Sequence, residues 1–405
     1  MNITTQKLIY EQLAETSALF KHSIVQSVAG IYLHIPFCKQ ACHYCDFHFS
    51  TSRQHRPAMV QAMVQELYLQ QDYLDGEEVD TIYFGGGTPS LLTESELEDL
   101  LASIRQCFTV AESPEITVEA NPDDLRAGLL RSLRMLGINR LSIGIQSFHE
   151  PHLRYLNRAH TADEATRCVQ QAREVGFDNI SIDLIYAIPT EDHRIWQQDL
   201  AQAIALCPQH ISAYCLTIEE KTAFGRWQRQ GKLRVVSDEV AAEQFDLLVA
   251  TLTEAGYDHY EISNLCLPGG YSRHNTSYWQ GKKYLGIGPS AHSYNGKSRQ
   301  HNVAHNAKYL QALKQGQLAY EREVLSYYDQ INERVMTGLR TKWGCDLARL
   351  RTLYNYDLLQ ENASYVGRLV AEGKAVVQED RLILTNEGKL LADGIAEDLF
   401  LVASK

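Results

Sequence analysis

IYLHIPFCKQACHYCDFHFS, residues 31–50, carries Cys38, Cys42 and Cys45 within eight residues, among Tyr32, Ile35, Phe37, Tyr44, Phe47 and Phe49. A thiolate is a soft ligand, suited to iron–sulfur clusters and to zinc. A closed electron-transfer cluster usually takes four cysteines. Three leave one iron without a protein ligand, and an open coordination position is where a metal does chemistry. The competing reading is a structural zinc knuckle, with His34, His43 or His48 as fourth ligand. A disulfide fits less well, because three clustered cysteines cannot all pair.

Outward from this loop the chain alternates strand and helix. GIYLHI (30–35) reads as a strand, MVQAMVQELYLQ (59–70) as a helix and VDTIYF (79–84) as a strand running into GGGTPS. ESELEDLLASIRQCF (94–108) is helical, with Thr93 as N-cap and Glu96 completing a capping box. Strands EITVEA (115–120), NRLSIGI (139–145), NISIDLIY (179–186) and HISAYCL (210–216) follow, separated by helical patterns at 123–136, 162–176 and 193–206. Such alternation implies a parallel sheet with helical crossovers. Six units over residues 29–235 suit an incomplete (β/α)6 barrel.

Chemistry in parallel barrels sits at the C-terminal strand ends. The cysteines follow strand one, Gly85-Gly86-Gly87-Thr88 follows strand two, Glu119 and Gln146 end strands three and four, and strand five carries Asp183 near its end. GGGTPS lacks the spacing of a dinucleotide loop. It reads either as a tight turn or as backbone that a ligand approaches closely. Any one of these polar residues alone would be a solvated group; their shared placement is the signal.

The three-then-two cysteine spacing is that of the radical S-adenosylmethionine (SAM) superfamily. The longer match resembles the branch holding oxygen-independent coproporphyrinogen dehydrogenase and heme chaperones. The resemblance implies a [4Fe-4S] cluster on Cys38, Cys42 and Cys45, with SAM chelating the open iron and being cleaved to a 5′-deoxyadenosyl radical. It implies SAM contacts from Tyr32, Tyr44, Gly86, Gly87, Thr88, Glu119, Gln146, Arg158 and Asp183. Phe47 stands where the dehydrogenase has an extra cysteine, which puts that reaction in doubt and favours the chaperones.

Residues 236–305 read as a connecting region that opens with a helix, 237–257. It contains RHNTSYWQGKKYLGIGPSAHSY (273–294). His274, Asn275, Tyr278 and Trp279 form the H-N-x-x-Y-W pattern of the chaperone-like group. The resemblance implies heme there: His274 as axial ligand, Tyr278 and Trp279 as flat surfaces, Arg273 against a propionate. His292 is a rival ligand, and a structural turn is the plain alternative. GIGPS has no cofactor role. Residues 306–405 turn helical and end in a hairpin and helix, resembling a winged-helix-like α+β domain with a lid or docking role.

The net charge of −12 argues against nucleic acid. No apolar run is long enough to span a membrane. Nine cysteines without a secretory signal point to a reducing, cytoplasmic setting. Residues 1–28 read as an extension with an amphipathic helix, LIYEQLAETSALFKH. The implied partners are heme, heme-accepting proteins such as respiratory enzymes, a low-potential donor such as flavodoxin or ferredoxin, and a second copy in a homodimer. Three functions compete: heme chaperone, coproporphyrinogen dehydrogenase, and zinc-stabilised interaction module.

Overall fold

The computed structural model describes residues 28–402. The helix expected in LIYEQLAETSALFKH lies outside the described residues.

Twelve strands form one sheet: β1 (Val28–Ile35), β2 (Glu78–Gly86), β3 (Val110–Ala120), β4 (Arg140–Gln146), β5 (Asn179–Tyr186), β6 (His210–Cys215), β7 (Asp258–Glu261), β8 (Asn264–Cys266), β9 (Tyr284–Ile287), β10 (His292–Tyr294), β11 (Ser298–Asn302) and β12 (Tyr320–Val324). β1 to β6 lie side by side in sequence order, all parallel. These strands are buried on both faces, as in β1, because helices cover one side and the barrel interior the other; Ile31, Leu33 and Ile35 face the helices, while Tyr32 and His34 alternate with them. The barrel does not close. The outer neighbour of β1 is β9, parallel in the register Gly30↔Tyr284, and the outer neighbour of β6 is antiparallel β8. Residues 258–302, expected within a connection, thus supply strands to both edges of the barrel.

Local signals held where the chemistry is short-range. Thr93 and Glu96 cap the helix Glu94–Cys107 reciprocally. The differences have local causes. β3 starts at Val110, five residues earlier than its apolar run, since Pro114 and flanking polar residues hide the period there. The helix read at 123–136 is a tight turn at Pro122–Asp124 followed by helix Ala127–Met135. A short helix, Glu150–Tyr155, starts with Pro151 and is too brief to show a period.

The C-terminal part has its own core, built on Ile331, Val335, Leu339, Leu350, Leu369 and Leu384. Helices surround a small sheet ordered β13 (Cys345–Asp346), β15 (Arg381–Leu384), β14 (Ala375–Gln378). The β14–β15 wing turns on Glu379 and Asp380, both at positive φ. Backbone bonds from Ile262 to Arg340 (3.1 Å) and from Lys342 to Tyr260 (3.0 Å) join this domain to the β7 edge.

Candidate functional site

The cysteine loop is tied down at both ends. Cys38 N–H donates to Ser50 O at 3.1 Å and Ser50 N–H to Pro36 O at 2.9 Å, closing its base. The loop after β2 grips the entry: Gly87 N–H reaches Ile35 O at 2.9 Å and Thr88 N–H reaches Phe37 O at 2.7 Å. A Cβ on Gly87 would stand 2.7 Å from both of those carbonyls. Glycine is needed at this position because the backbone of the cysteine loop approaches it closely. The far rim rests on the segment after β4, where Gln40 Nε2 donates to Asn157 Oδ1 at 2.7 Å. Tyr44 packs beside the small apolar cluster of Leu156, Ile185 and Phe224.

All three cysteines are unpaired and partly exposed. Burial pushes the Cys38 thiol up to about 11 and the Cys45 thiol up to about 12. A cation bound beside Cys38 and Cys45 favours their thiolate forms. Among the described residues no three His, Cys, Asp or Glu side chains gather closely enough for one metal ion. A cluster binds its thiolates through separate irons.

Arg158 organises the barrel mouth. Its Nη2 donates to Asn121 Oδ1 at 2.6 Å and to Gly144 O at 2.7 Å, while Nη1 lies 3.3 Å from Cys42 Sγ and 3.4 Å from Tyr44 Oη. Its Nε is buried without a partner among the described residues. Gly144 makes this possible: a Cβ there would meet Gln146 Nε2 at 3.0 Å and Arg158 Nη2 at 3.2 Å. Gln146 ends β4 at φ 71°, at a register shift that turns it out of the strand. Asn121 also donates to Thr88 Oγ1 at 3.2 Å, linking the two loops. Neither Asn121 nor Gly144 was among the expected site residues, although Asn121 follows Glu119 at the same strand end.

Glu119 Oε1 accepts from Tyr83 Oη at 2.8 Å and Oε2 from Gly86 N–H at 3.2 Å. Burial, reinforced by Asp183, pushes Glu119 up to about 7; burial likewise lifts Asp183 to about 6. Two carboxylates held this way favour a cationic ligand, and the spare Arg158 Nε favours an anionic group on the same ligand. The mouth thus fits the zwitterionic sulfonium expected from the sequence. Tyr32 lies beneath, its ring 6.1 Å from that of Tyr83.

The H-N-x-x-Y-W residues separate. His274 is buried, with Nδ1 2.7 Å from Thr81 Oγ1 and Nε2 2.7 Å from Tyr278 Oη. Burial, with Arg140 nearby, lowers it to about 3. With both nitrogens engaged it is a strut under Tyr278. Arg273 pairs with Asp80 and donates to Ser113 O, so it is committed elsewhere. Asn275 is half-buried at the start of this helix, Arg273–Trp279. Tyr278 and Trp279 line a cavity of about 900 Å³ between the cluster loop, the β9–β11 strands and the C-terminal domain. Asp46, Phe47 and His48 form its cluster-loop end.

GIGPS acquires a role invisible in the sequence. Buried Glu66 accepts from Gly288 N–H (2.8 Å), Asn302 Nδ2 (2.7 Å), Gln70 Nε2 (2.9 Å) and Tyr309 Oη (2.5 Å). This network pins the β9–β10 turn to the helix Arg56–Leu69.

Known proteins share this arrangement. The Radical SAM superfamily description matches residues 32–202, and the HemN C-terminal domain matches 325–391. The heme chaperone HemW of Mycobacterium tuberculosis is 37% identical over 91% of this chain and 94% of its own. HemW of Lactococcus lactis is 33% identical over 93% of this chain and 99% of its own. This chain belongs to the HemW family of radical SAM proteins. The structure of coproporphyrinogen III oxidase (HemN) from Escherichia coli, a radical SAM enzyme, superposes with a TM-score of 0.80 at 25% identity, covering 93% of this chain and 90% of that one. As a HemW-family member the chain has the radical SAM fold, and among its described residues no helix is long and apolar enough to cross a membrane.

Proposed function

We propose that this HemW-family chain is a heme chaperone, holding heme as cargo and passing it to acceptor proteins such as respiratory enzymes. Its [4Fe-4S] cluster binds Cys38, Cys42 and Cys45, and SAM occupies the barrel mouth exchangeably. When bound, the cluster supplies a low-potential electron and an open iron. The chain's own residues do the rest. Arg158 orients Cys42 and Tyr44. Glu119 and Asp183 receive the cationic part of the ligand, with Gln146 and Thr88 at its sides. Tyr278 and Trp279 offer their rings to the porphyrin, and His274 props Tyr278.

The observation that carries this reading is the cavity of about 900 Å³. It is in the range of small-molecule sites, has aromatic walls and adjoins the cluster loop. Of the residues expected around SAM, only Tyr32 also lines it. The test is heme titration into anaerobically reconstituted protein, then transfer to a heme-free acceptor. Saturable binding and transfer are expected; no binding removes the reading. Dehydrogenation of coproporphyrinogen is the second reading. Phe47, 68% exposed at the cavity rim, offers an apolar surface where that chemistry has a thiol. Turnover of coproporphyrinogen with a low-potential reductant would favour it.

A further inference from the structure

Three histidines line the cavity: His34, His48 and His292. His34 is spent: Nδ1 lies 3.2 Å from Tyr32 Oη and Nε2 2.8 Å from His48 O. Nε2 of His48 is 2.7 Å from Asn306 Oδ1. His292, on β10, differs from both. Its ring is exposed, stacks on His301 with centroids 5.5 Å apart at 25°, and makes no hydrogen bond to any described residue. His301 steadies the imidazole without competing for its nitrogens.

The opposite wall carries the charge. Glu333 there faces Arg299 at 2.8 Å, and Asp346 is taken by Arg381 at 3.1 Å. Arg334 donates through Nε to Tyr354 Oη at 2.9 Å and has no carboxylate partner among the described residues. The Arg349 guanidinium makes no hydrogen bond to any described residue. Two guanidinium groups are thus left over. The indole Nε1 of Trp279 is buried and unpartnered as well. A neutral nitrogen on one side, aromatic faces between and paired cations on the other match a flat metalloporphyrin with carboxylates along one edge.

Resting on the heme-cargo reading, we infer that His292, not His274, ligates the iron of the cargo, and that Arg334 and Arg349 receive its propionates. The cargo then spans the return strands of the sheet and the C-terminal domain.

The experiment uses full-length, anaerobically reconstituted protein and two probes: ferric heme and metal-free protoporphyrin. His292→Ala should shift the Soret band and weaken heme binding about tenfold or more, with metal-free porphyrin unaffected. Added imidazole should restore the band. The double variant Arg334→Gln/Arg349→Gln should weaken both probes by a similar factor of about ten. A wild-type Soret band and affinity in His292→Ala overturns the ligand assignment and leaves the cargo reading standing. Equal loss of both probes in His292→Ala also overturns it, because loss of an iron ligand spares a porphyrin without iron. Undiminished binding in the arginine variant overturns the propionate contacts. Failure of the wild-type protein to bind heme overturns both the reading and the inference.

Discussion

The barrel mouth and the cavity under the C-terminal domain are neighbours built by opposite means. The mouth draws on consecutive strand ends, from Cys38 to Asp183, so its parts arrive in chain order at one edge of a parallel sheet. The cavity gathers Phe47, Tyr278, His292, Arg334 and Arg381 from across the chain. Several mouth residues have defined partners: Arg158 on Cys42, Glu119 on Gly86, Asn121 on Thr88. Among the described residues the cavity leaves His292 without a hydrogen bond and Arg334 and Arg349 without a carboxylate partner. Groups already held by partners are preorganised for a ligand, whereas a site whose ligand must leave gains from fewer fixed partners.

The sharpest way to break this comparison is Cys42→Ser. It should abolish the cluster, read as loss of iron, sulfide and visible absorption, while heme binding persists. Loss of both would make the two regions one site. Next in size is Glu66→Ala, which takes the shared acceptor from four buried donors, of which Asn302 Nδ2 alone keeps another, Gly288 O. It should cost about 3 kcal/mol in denaturant unfolding and loosen the β9–β10 turn near His292.

Glu66 also predicts a pH dependence. Burial raises it from 4.5 to about 7 in the folded protein. The folded state therefore holds that proton more tightly than the unfolded chain does. Its stabilising contribution is full below pH 4.5 and is lost as pH rises through about 7. Glu66→Gln should flatten that part of the stability curve.

Smaller still, Arg158→Gln should weaken SAM binding about tenfold by equilibrium dialysis and leave heme affinity unchanged. An equal effect on heme would join the two sites. The mildest effect concerns Glu119 and Asp183, raised to about 7 and about 6. A cationic ligand favours their ionised forms, so SAM affinity should rise a few-fold between pH 6 and 7, with proton release detectable by calorimetry in two buffers. Proton uptake would contradict the assignment of these carboxylates to a cation.

Much of the mouth was legible because its signals are local. The cysteine spacing, the capping box at Thr93 and the polar residues closing successive strands all lie within a few residues of what they organise. His274 shows the limit. Its motif was visible, yet nothing nearby announces that Thr81, 193 residues away, takes its Nδ1. Residues 258–302 looked like a connection because short strands such as Asn264–Cys266 cannot display a period. Gly144 gave no local sign either; its use depends on Arg158 arriving from the next loop.

The amino-acid order alone established a three-thiol loop at the head of alternating strands and helices, and the family that goes with it. Covalent spacing and strand periodicity are properties of the chain itself. Packing alone decided that His274 is sealed under the sheet while His292 stands open, and that two arginines face the cavity with no carboxylate partner among the described residues. Which side chain keeps a free valence depends on what distant segments bring against it, and that is settled only when the sheet, the turn held by Glu66 and the C-terminal domain come together.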